Sequence, residues 1–143
     1  MKKLARILVP VDGSAGSGRA VELAAELAEA IGAVLDILYV SYFDRETDAQ
    51  EESWLPDSIA GPVGDKAQET LAWAQQHILL AVPVTCHRRT GIPADEILRF
   101  AEDQSVELIV VGGRGLGVVE GFLLGSVSQA VVERAVTSVV VAK

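Results

Sequence analysis

Residues 107–126 read ELIVVGGRGLGVVEGFLLGS, an apolar run that leads through a glycine-rich segment to a serine. Glu107 to Gly112 predicts a buried strand, because strands covered on both faces of a parallel sheet are apolar throughout. The residues after the serine, from about Val127 to Ala135, have the pattern of a helix. A strand that passes through glycines into a helix is where open α/β sheets bind phosphate. The stretch therefore predicts an α/β fold with an anion site at the end of this strand.

The start of the helix after the glycines favours phosphate binding. Ser126 is predicted as its N-cap, with Gln129 completing a capping box, and the remaining free amides and the helix dipole attract an anion. The segment lacks the Gly-Lys-Ser/Thr ending of a Walker loop. It also differs from the dinucleotide fingerprint, which follows the first strand and opens directly into a helix. The glycines alone leave open a flexible loop in which Ser126 is no more than a cap.

Before and after residues 107–126, predicted apolar strands alternate with predicted amphipathic helices. The alternation predicts one domain, residues 1–143, with a parallel sheet, helices on both of its faces and right-handed crossovers. The polar, acidic connection Ser41–Gly64 offers little apolar surface, so we expect it to be the most mobile part of the chain. The other predicted strands are Leu4–Val11, Ala33–Val40, Pro83–Thr90 and Ser138–Ala142, and the other predicted helices are Ala15–Ile31, about Asp65–Leu79 and about Ala94–Gln104.

The composition narrows the range of partners. The chain has 12 Lys and Arg against 20 Asp and Glu, a formal net charge of −8, so a nucleic-acid partner is not expected. No run approaches the roughly 20 apolar residues that cross a bilayer, and no signal peptide is visible. We therefore expect a cytoplasmic protein without membrane insertion. Cys86 is alone, so no internal disulfide can form, and His77 and His87 have no zinc-type spacing with it.

The spacing Gly112-x2-Gly115-x9-Gly125-Ser126 resembles the ATP-binding signature of the universal stress protein family. The resemblance extends over nearly the whole chain. One departure is Thr137-Ser138-Val139, where relatives usually place a proline before the last strand. The other matching segments are Ile7-Leu8-Val9-Pro10-Val11-Asp12-Gly13-Ser14, Gly91-Ile92-Pro93, Leu108-Ile109-Val110-Val111-Gly112 and Leu124-Gly125-Ser126-Val127-Ser128.

The resemblance implies a particular sheet and a site for ATP, with Mg²⁺ held through the phosphates. The sheet would be open, doubly wound and five-stranded, in the order 3-2-1-4-5, of the adenine nucleotide alpha hydrolase-like type. Its winding reverses between strands one and four, which leaves a crevice at their carboxyl ends. Asp12 and the backbone of Val40 would contact the adenosine end, while Gly112, Gly115, Gly125 and Ser126 would hold the ribose and phosphates. The full implied site is Pro10, Asp12, Val40, Gly112, Arg114, Gly115, Gly125, Ser126, Val127 and Ser128.

Three of these residues have a simpler interpretation. Arg114 either adds positive charge or is a solvated loop arginine. Ser128 either touches a phosphate or faces solvent in the first helical turn. Asp12 either contacts the ligand or only caps the turn after the first strand.

The leading functional hypothesis is a nucleotide-dependent regulatory module in the stress response. It would form a homodimer through its C-terminal strand, act on an unidentified protein partner, and hydrolyse ATP slowly at most, since no catalytic pair is visible. A stress-response dimer that does not retain ATP, or that binds AMP or a cyclic nucleotide, is the alternative. A phosphoryl-accepting receiver domain would need an acceptor Asp where Thr90-Gly91 stands. An adenylating synthase would need its own loop after strand one, for which Asp12-Gly13-Ser14 is thin support.

Overall fold

The chain forms a five-stranded parallel sheet with helices on both faces, seen in a computed structural model. The structure describes residues 4–42, 57–113 and 124–143, and between residues 57 and 65 only the backbone. The strand order is β3-β2-β1-β4-β5, so the predicted fold class and strand order are confirmed. The elements in chain order are β1 (Arg6–Pro10), α1 (Ala15–Ile31), β2 (Val34–Tyr42), α2 (Asp57–Gln76), β3 (Val84–Gly91), α3 (Pro93–Asp103), β4 (Leu108–Gly112), α4 (Ser126–Arg134) and β5 (Ser138–Ala142).

The hydrophobic core has two layers, one on each face of the sheet. Alternate residues of β1 enter opposite layers, because successive side chains of a strand point to opposite faces. Ile7 and Val9 pack with α1 and α2, whereas Leu8 packs with α3 and α4. All three side chains are fully buried, and burial of each stabilises the fold by roughly 1.5–3 kcal/mol. Because β1 is buried on both faces, its position is fixed, and so is the start of the chain segment that follows its carboxyl end.

The sheet opens between β1 and β4. Their paired register covers only Ile7 with Leu108 and Leu8 with Ile109. Each strand continues alongside its outer neighbour, β1 as far as the pair of Pro10 with Leu38, and β4 to its last residue. The carboxyl ends of the two central strands thus separate at the point where the winding reverses, which is where ligands bind in open α/β sheets.

Two predicted boundaries differ from the structure. β2 continues to Tyr42 instead of ending at Val40, because it stays paired with β3 as far as Gly91. α2 begins at Asp57, eight residues before the predicted start, and runs through Gly61 and Pro62. Both residues disfavour a helix interior, and Pro62 cannot donate a backbone hydrogen bond, yet the helix continues through them. The predicted long connection is therefore shorter, and residues 43–56 lie outside the described residues.

Candidate functional site

A cavity of about 1020 Å³ lies at the carboxyl ends of the central strands. Its walls come from the ends of β1, β2 and β4 and from the first turns of α1, α3 and α4. Every predicted site residue that the structure describes lines this cavity, whereas Arg114 and Gly115 lie outside the described residues. The lining residues from the prediction are Pro10, Asp12, Val40, Gly112, Gly125, Ser126, Val127 and Ser128.

The start of α4 differs from the predicted capping box. Gly125 is the N-cap, with φ −71° and ψ 168°, and Ser126 is the first helical residue. Gln129 does not reach back to the cap, because its side-chain amide donates to Glu133 Oε1 at 3.2 Å. A glycine adopts the extended cap conformation as readily as a serine does, so the helix begins one residue earlier than the pattern suggested. Glycine has no side-chain oxygen, so the N-cap residue makes no side-chain hydrogen bond to the helix start.

The first turn of α4 consequently has backbone donors beside the cavity for which no acceptor lies among the described residues. The first four N–H groups of a helix have no partner within the helix, and here they belong to residues 125–128. All four residues line the cavity, and the first turn carries no acidic side chain. Together with the positive end of the helix dipole, these amides form a site that favours an anion.

Ser128 has a contact that neither of its predicted roles included. Its Oγ donates to the backbone carbonyl of Gly112 at 3.1 Å. The hydroxyl proton is therefore directed to the end of β4, and this hydrogen bond ties the first turn of α4 to the sheet. Ser126 is the remaining serine of this helix start that lines the cavity.

The opposite wall of the cavity carries Asp12 and the start of α1. Asp12 Oδ1 accepts a hydrogen bond from Ser14 N at 2.9 Å, and Ser14 Oγ accepts one from Ser17 N at 3.2 Å as the N-cap of α1. Burial raises the pKa of Asp12, but hydrogen bonds from Ser14 and Ser17 outweigh this and hold the pKa below its usual value. Asp12 thus does cap the turn, as the simpler interpretation held, and it is also a carboxylate that lines the cavity.

Two glycines bring α1 and β4 into backbone contact beside the cavity. A Cβ on Gly112 would lie 2.3 Å from the carbonyl oxygen of Gly16, and a Cβ on Gly16 would lie 2.5 Å from that of Gly113. Any larger residue would force the helix away from the strand. Gly112 is therefore required for packing in addition to any contact with a ligand. Gly16 was not predicted to contribute to the site, although a glycine in the first turn of a helix was a usable signal.

The rim beyond β1 is formed by the end of β2. Leu38 accepts a hydrogen bond from Val11 N at 2.9 Å, where β1 ends. Because the backbone groups of alternate residues in a strand point the same way, those of Val40 are directed past the end of β1 towards the gap. Tyr39 and Lys66 also line the cavity, and Lys66 is its one cationic side chain among the described residues. Neither was predicted, because their positions depend on how β2 and α2 pack.

The described ranges contain no group of three His, Cys, Asp or Glu side chains that is placed to hold a metal ion. In the same ranges no helix is both long and apolar enough to cross a membrane.

Comparison with known proteins gives consistent matches over the length of the chain. A model of the universal stress protein family matches residues 3–143. The universal stress protein MJ0531 of Methanocaldococcus jannaschii is 31% identical over 140 residues, covering 96% of this chain and 81% of the relative. The structure of universal stress protein UspA from Lactobacillus plantarum has a TM-score of 0.74 and 26% identity, with both chains covered completely. The structure of a universal stress protein in complex with cAMP has a TM-score of 0.68 and 27% identity, covering 98% of this chain and 97% of that one.

Proposed function

This chain belongs to the universal stress protein family, and from that premise we propose that it binds ATP, with Mg²⁺ on the phosphates, as a nucleotide-dependent regulatory module. The observation that carries the proposal is the start of α4, where residues 125–128 line a cavity of about 1020 Å³ and their amides have no acceptor among the described residues. This volume is at the upper end of the range for small-molecule pockets, about 300–1,000 Å³. The cavity thus has room for a nucleotide and a place for its phosphates.

The phosphates would lie at residues 125–128. Backbone amides bind phosphate locally, so the net charge of −8 does not oppose this binding as it would oppose binding of a long polyanion. The Ser126 hydroxyl would add one hydrogen bond to a charged group, worth roughly 1.5–3 kcal/mol. Arg114 and Gly115 belong to the same proposal on the basis of the family signature alone.

The adenosine would lie towards β1 and β2. The carboxylate of Asp12 would repel a phosphate, and it suits the hydroxyl or amino donors of a nucleoside. The backbone donor and acceptor of Val40, directed past the end of β1, fit the edge of a base. The two walls of the cavity therefore differ in charge in the way the two ends of a nucleotide do.

Magnesium would be held through the phosphates. Mg²⁺ commonly keeps several waters and binds substrate phosphates with one or two carboxylates, so a dedicated cage of protein ligands is not required.

We propose that any ATP hydrolysis is slow. A fast hydrolase needs a general base that orients the attacking water near the γ-phosphate. The described lining residues include one carboxylate and no histidine, and that carboxylate already accepts a hydrogen bond from Ser14 N. The protein would therefore act by binding, with an unidentified protein partner responding to the bound state.

A cyclic nucleotide is the second candidate ligand. It is favoured by the relative whose structure was solved in complex with cAMP, and by the same cavity. Cyclic AMP has one phosphate with a single negative charge, so it would use fewer of the α4 amides than ATP does.

Calorimetric titration with ATP and Mg²⁺, AMP and cyclic AMP tests the proposal. We expect ATP to bind most tightly, and the Ser126→Ala variant to bind ATP more weakly by about 10- to 150-fold, the equivalent of the hydrogen bond above. Asp12→Ala should weaken binding of ATP and AMP alike. No binding by the wild type up to millimolar ATP would contradict the proposal. If cyclic AMP binds more tightly than ATP, cyclic AMP takes its place as the proposed ligand.

We further propose a cytoplasmic homodimer that pairs through β5. This strand is at the edge of the sheet, and Val139, Val140 and Val141 are only partly buried. Val136, just before the strand, is fully exposed. An unpaired apolar edge favours pairing with a second copy about a two-fold axis. Light scattering at tens of micromolar should give the mass of a dimer, and the mass of a monomer would contradict this.

A further inference from the structure

Two residues at the end of β4, Gly112 and Gly113, are held by hydrogen bonds from three different elements. The carbonyl of Gly112 accepts from Ser128 Oγ on α4 at 3.1 Å. The amide of Gly113 donates to the carbonyl of Ala142 on β5 at 2.7 Å. The carbonyl of Gly113 accepts from Arg19 Nη2 on α1 at 3.0 Å. We name this Gly112–Gly113 pair and its partners the glycine clamp.

The hydrogen bonds of the glycine clamp restrain Gly112 and Gly113. Glycine loses more conformational freedom than any other residue when its backbone is fixed. Glycine samples φ and ψ regions that other residues avoid, so two successive glycines would be variable without external restraints. Both residues line the cavity. Fixing them before a ligand arrives reduces the entropy that binding must overcome, which is the basis of preorganisation.

Arg19 is the long-range side chain of this clamp. It lies in the second turn of α1, is partly buried, and is not among the cavity-lining residues. Its Nε is buried and has no hydrogen-bond partner among the described residues. A buried donor without a partner costs free energy, so an apolar side chain would suit this position better if packing were its only role.

We infer that Arg19 is a positioning residue for the nucleotide site, which acts by holding the carbonyl of Gly113 and through it the cavity wall. This inference rests on the proposed function. It assigns to Arg19 no contact with the ligand. By the same reasoning, the hydrogen bond from Ser128 Oγ holds the carbonyl of Gly112, the other glycine of the pair.

The inference is tested with Arg19→Met, which keeps the long apolar stem but removes the donor, and with Arg19→Lys, which keeps a donor. Arg99→Met is the matched control, because Arg99 is an exposed arginine on α3 that pairs with Glu96 and not with the clamp. The first measurement is hydrogen exchange of the Gly113 amide in the full chain without ligand. We expect about tenfold faster exchange in Arg19→Met, from loss of one hydrogen bond beside it, and wild-type rates in the other two variants.

The second measurement is calorimetric titration of the same variants with ATP and Mg²⁺. We expect the Kd to rise by about tenfold in Arg19→Met and to recover to within about threefold in Arg19→Lys. A structural role alone would lower the unfolding midpoint of Arg19→Met without changing its Kd, and that result would overturn the inference. Unchanged exchange of Gly113 in Arg19→Met would also overturn it. If the wild type does not bind ATP, the proposed function fails, and the exchange of Gly113 alone decides whether Arg19 holds the clamp.

Discussion

Two helices, α1 and α4, begin at the same cavity, but their first turns are completed differently. At α1, Ser14 Oγ accepts from Ser17 N, and the Asp12 carboxylate accepts from Ser14 N just before the helix. At α4, the N-cap is Gly125, and among the described residues no side chain accepts from the first amides. Side-chain oxygens thus accept from two of the first four amides of α1, whereas the N-cap of α4 supplies no such oxygen. This difference supports the proposal that the phosphates bind at α4 and the nucleoside on the α1 side.

A third helix start supports the distinction. α3 also begins at the cavity, and Pro93 in its first turn has no backbone donor to offer. The same turn carries Asp95 and Glu96, whose negative charges already complement the positive end of the helix dipole. Among the three helix starts at the cavity, α4 is thus the one with neither a side-chain oxygen on its N-cap residue nor an acidic side chain in its first turn.

The largest effect is expected from giving α4 the cap that it lacks. In Gly125→Asp the carboxylate would accept from the first amides and place a negative charge where the phosphate binds. The φ and ψ of Gly125 suit any residue, so the fold should be retained, and the unfolding free energy should rise by a few tenths of a kcal/mol. Affinity for ATP should fall by at least about 100-fold, since hydrogen bonds to a charged group are lost and repulsion is added. Calorimetry gives the affinity, and chemical denaturation gives the stability.

Gly125→Asn is the control for that substitution. It supplies a neutral cap of nearly the same size, so it separates the effect of charge from that of occupying the amides. We expect an affinity between those of the wild type and Gly125→Asp. Equal affinities in the wild type and Gly125→Asp would show that the α4 start is not the phosphate site.

The reverse change, removal of the cap of α1, should affect stability and leave binding nearly intact. Ser14→Ala deletes the oxygen that accepts from Ser17 N, and loss of an N-cap costs about 1 kcal/mol. We expect a lower free energy of unfolding in urea and a Kd for ATP within about threefold of the wild type. A large loss of affinity with unchanged stability would mean that the two helix starts have been assigned the wrong roles.

The two helix starts also differ in how well they could be predicted from the sequence. The bounds of α1 were expected from the sequence, and the hydrogen bond that caps this helix joins residues three apart in sequence. At α4 the pattern of Ser126 with Gln129 suggested a capping box, but a cap one residue earlier satisfies the backbone equally well. Local sequence does not distinguish these two starts. The difference affects the site, because Ser126 as the N-cap would have supplied an oxygen to the first amides, and Gly125 supplies none.

Contacts between residues far apart in the chain could not be predicted from the sequence. The approach of Gly16 to Gly112 joins residues that are 96 positions apart, and it depends on how α1 lies across β4. The hydrogen bond from Arg19 to Gly113 has the same origin. The strand order was expected only through the family resemblance, since alternation of strands and helices is compatible with several orders. Lys66 lines the cavity because of the packing of α2, whose start was also misplaced.

The smallest effect concerns the pH dependence of stability on the α1 side. The pKa of Asp12 is lowered in the folded protein, so its ionised form contributes stability above the pKa of the unfolded chain. That contribution is lost as the pH falls below the usual aspartate pKa, about 3.9, and through the lower pKa of the folded protein. Asp12→Asn keeps an oxygen that can accept from Ser14 N but cannot titrate. We expect its unfolding free energy to fall less than that of the wild type on acidification, and parallel curves would contradict this.

The most direct test of the account is to observe both helix starts while the nucleotide binds. Titration of ¹⁵N-labelled protein with ATP and Mg²⁺ reports on the amides of residues 125–128 and of residues 15–18 in one series of NMR spectra. We predict large shifts of the α4 amides with ATP, smaller ones with AMP, and little change of the α1 amides with either. Large shifts confined to the α1 amides, or an unchanged spectrum at millimolar ATP, would contradict the assignment of the phosphates to α4.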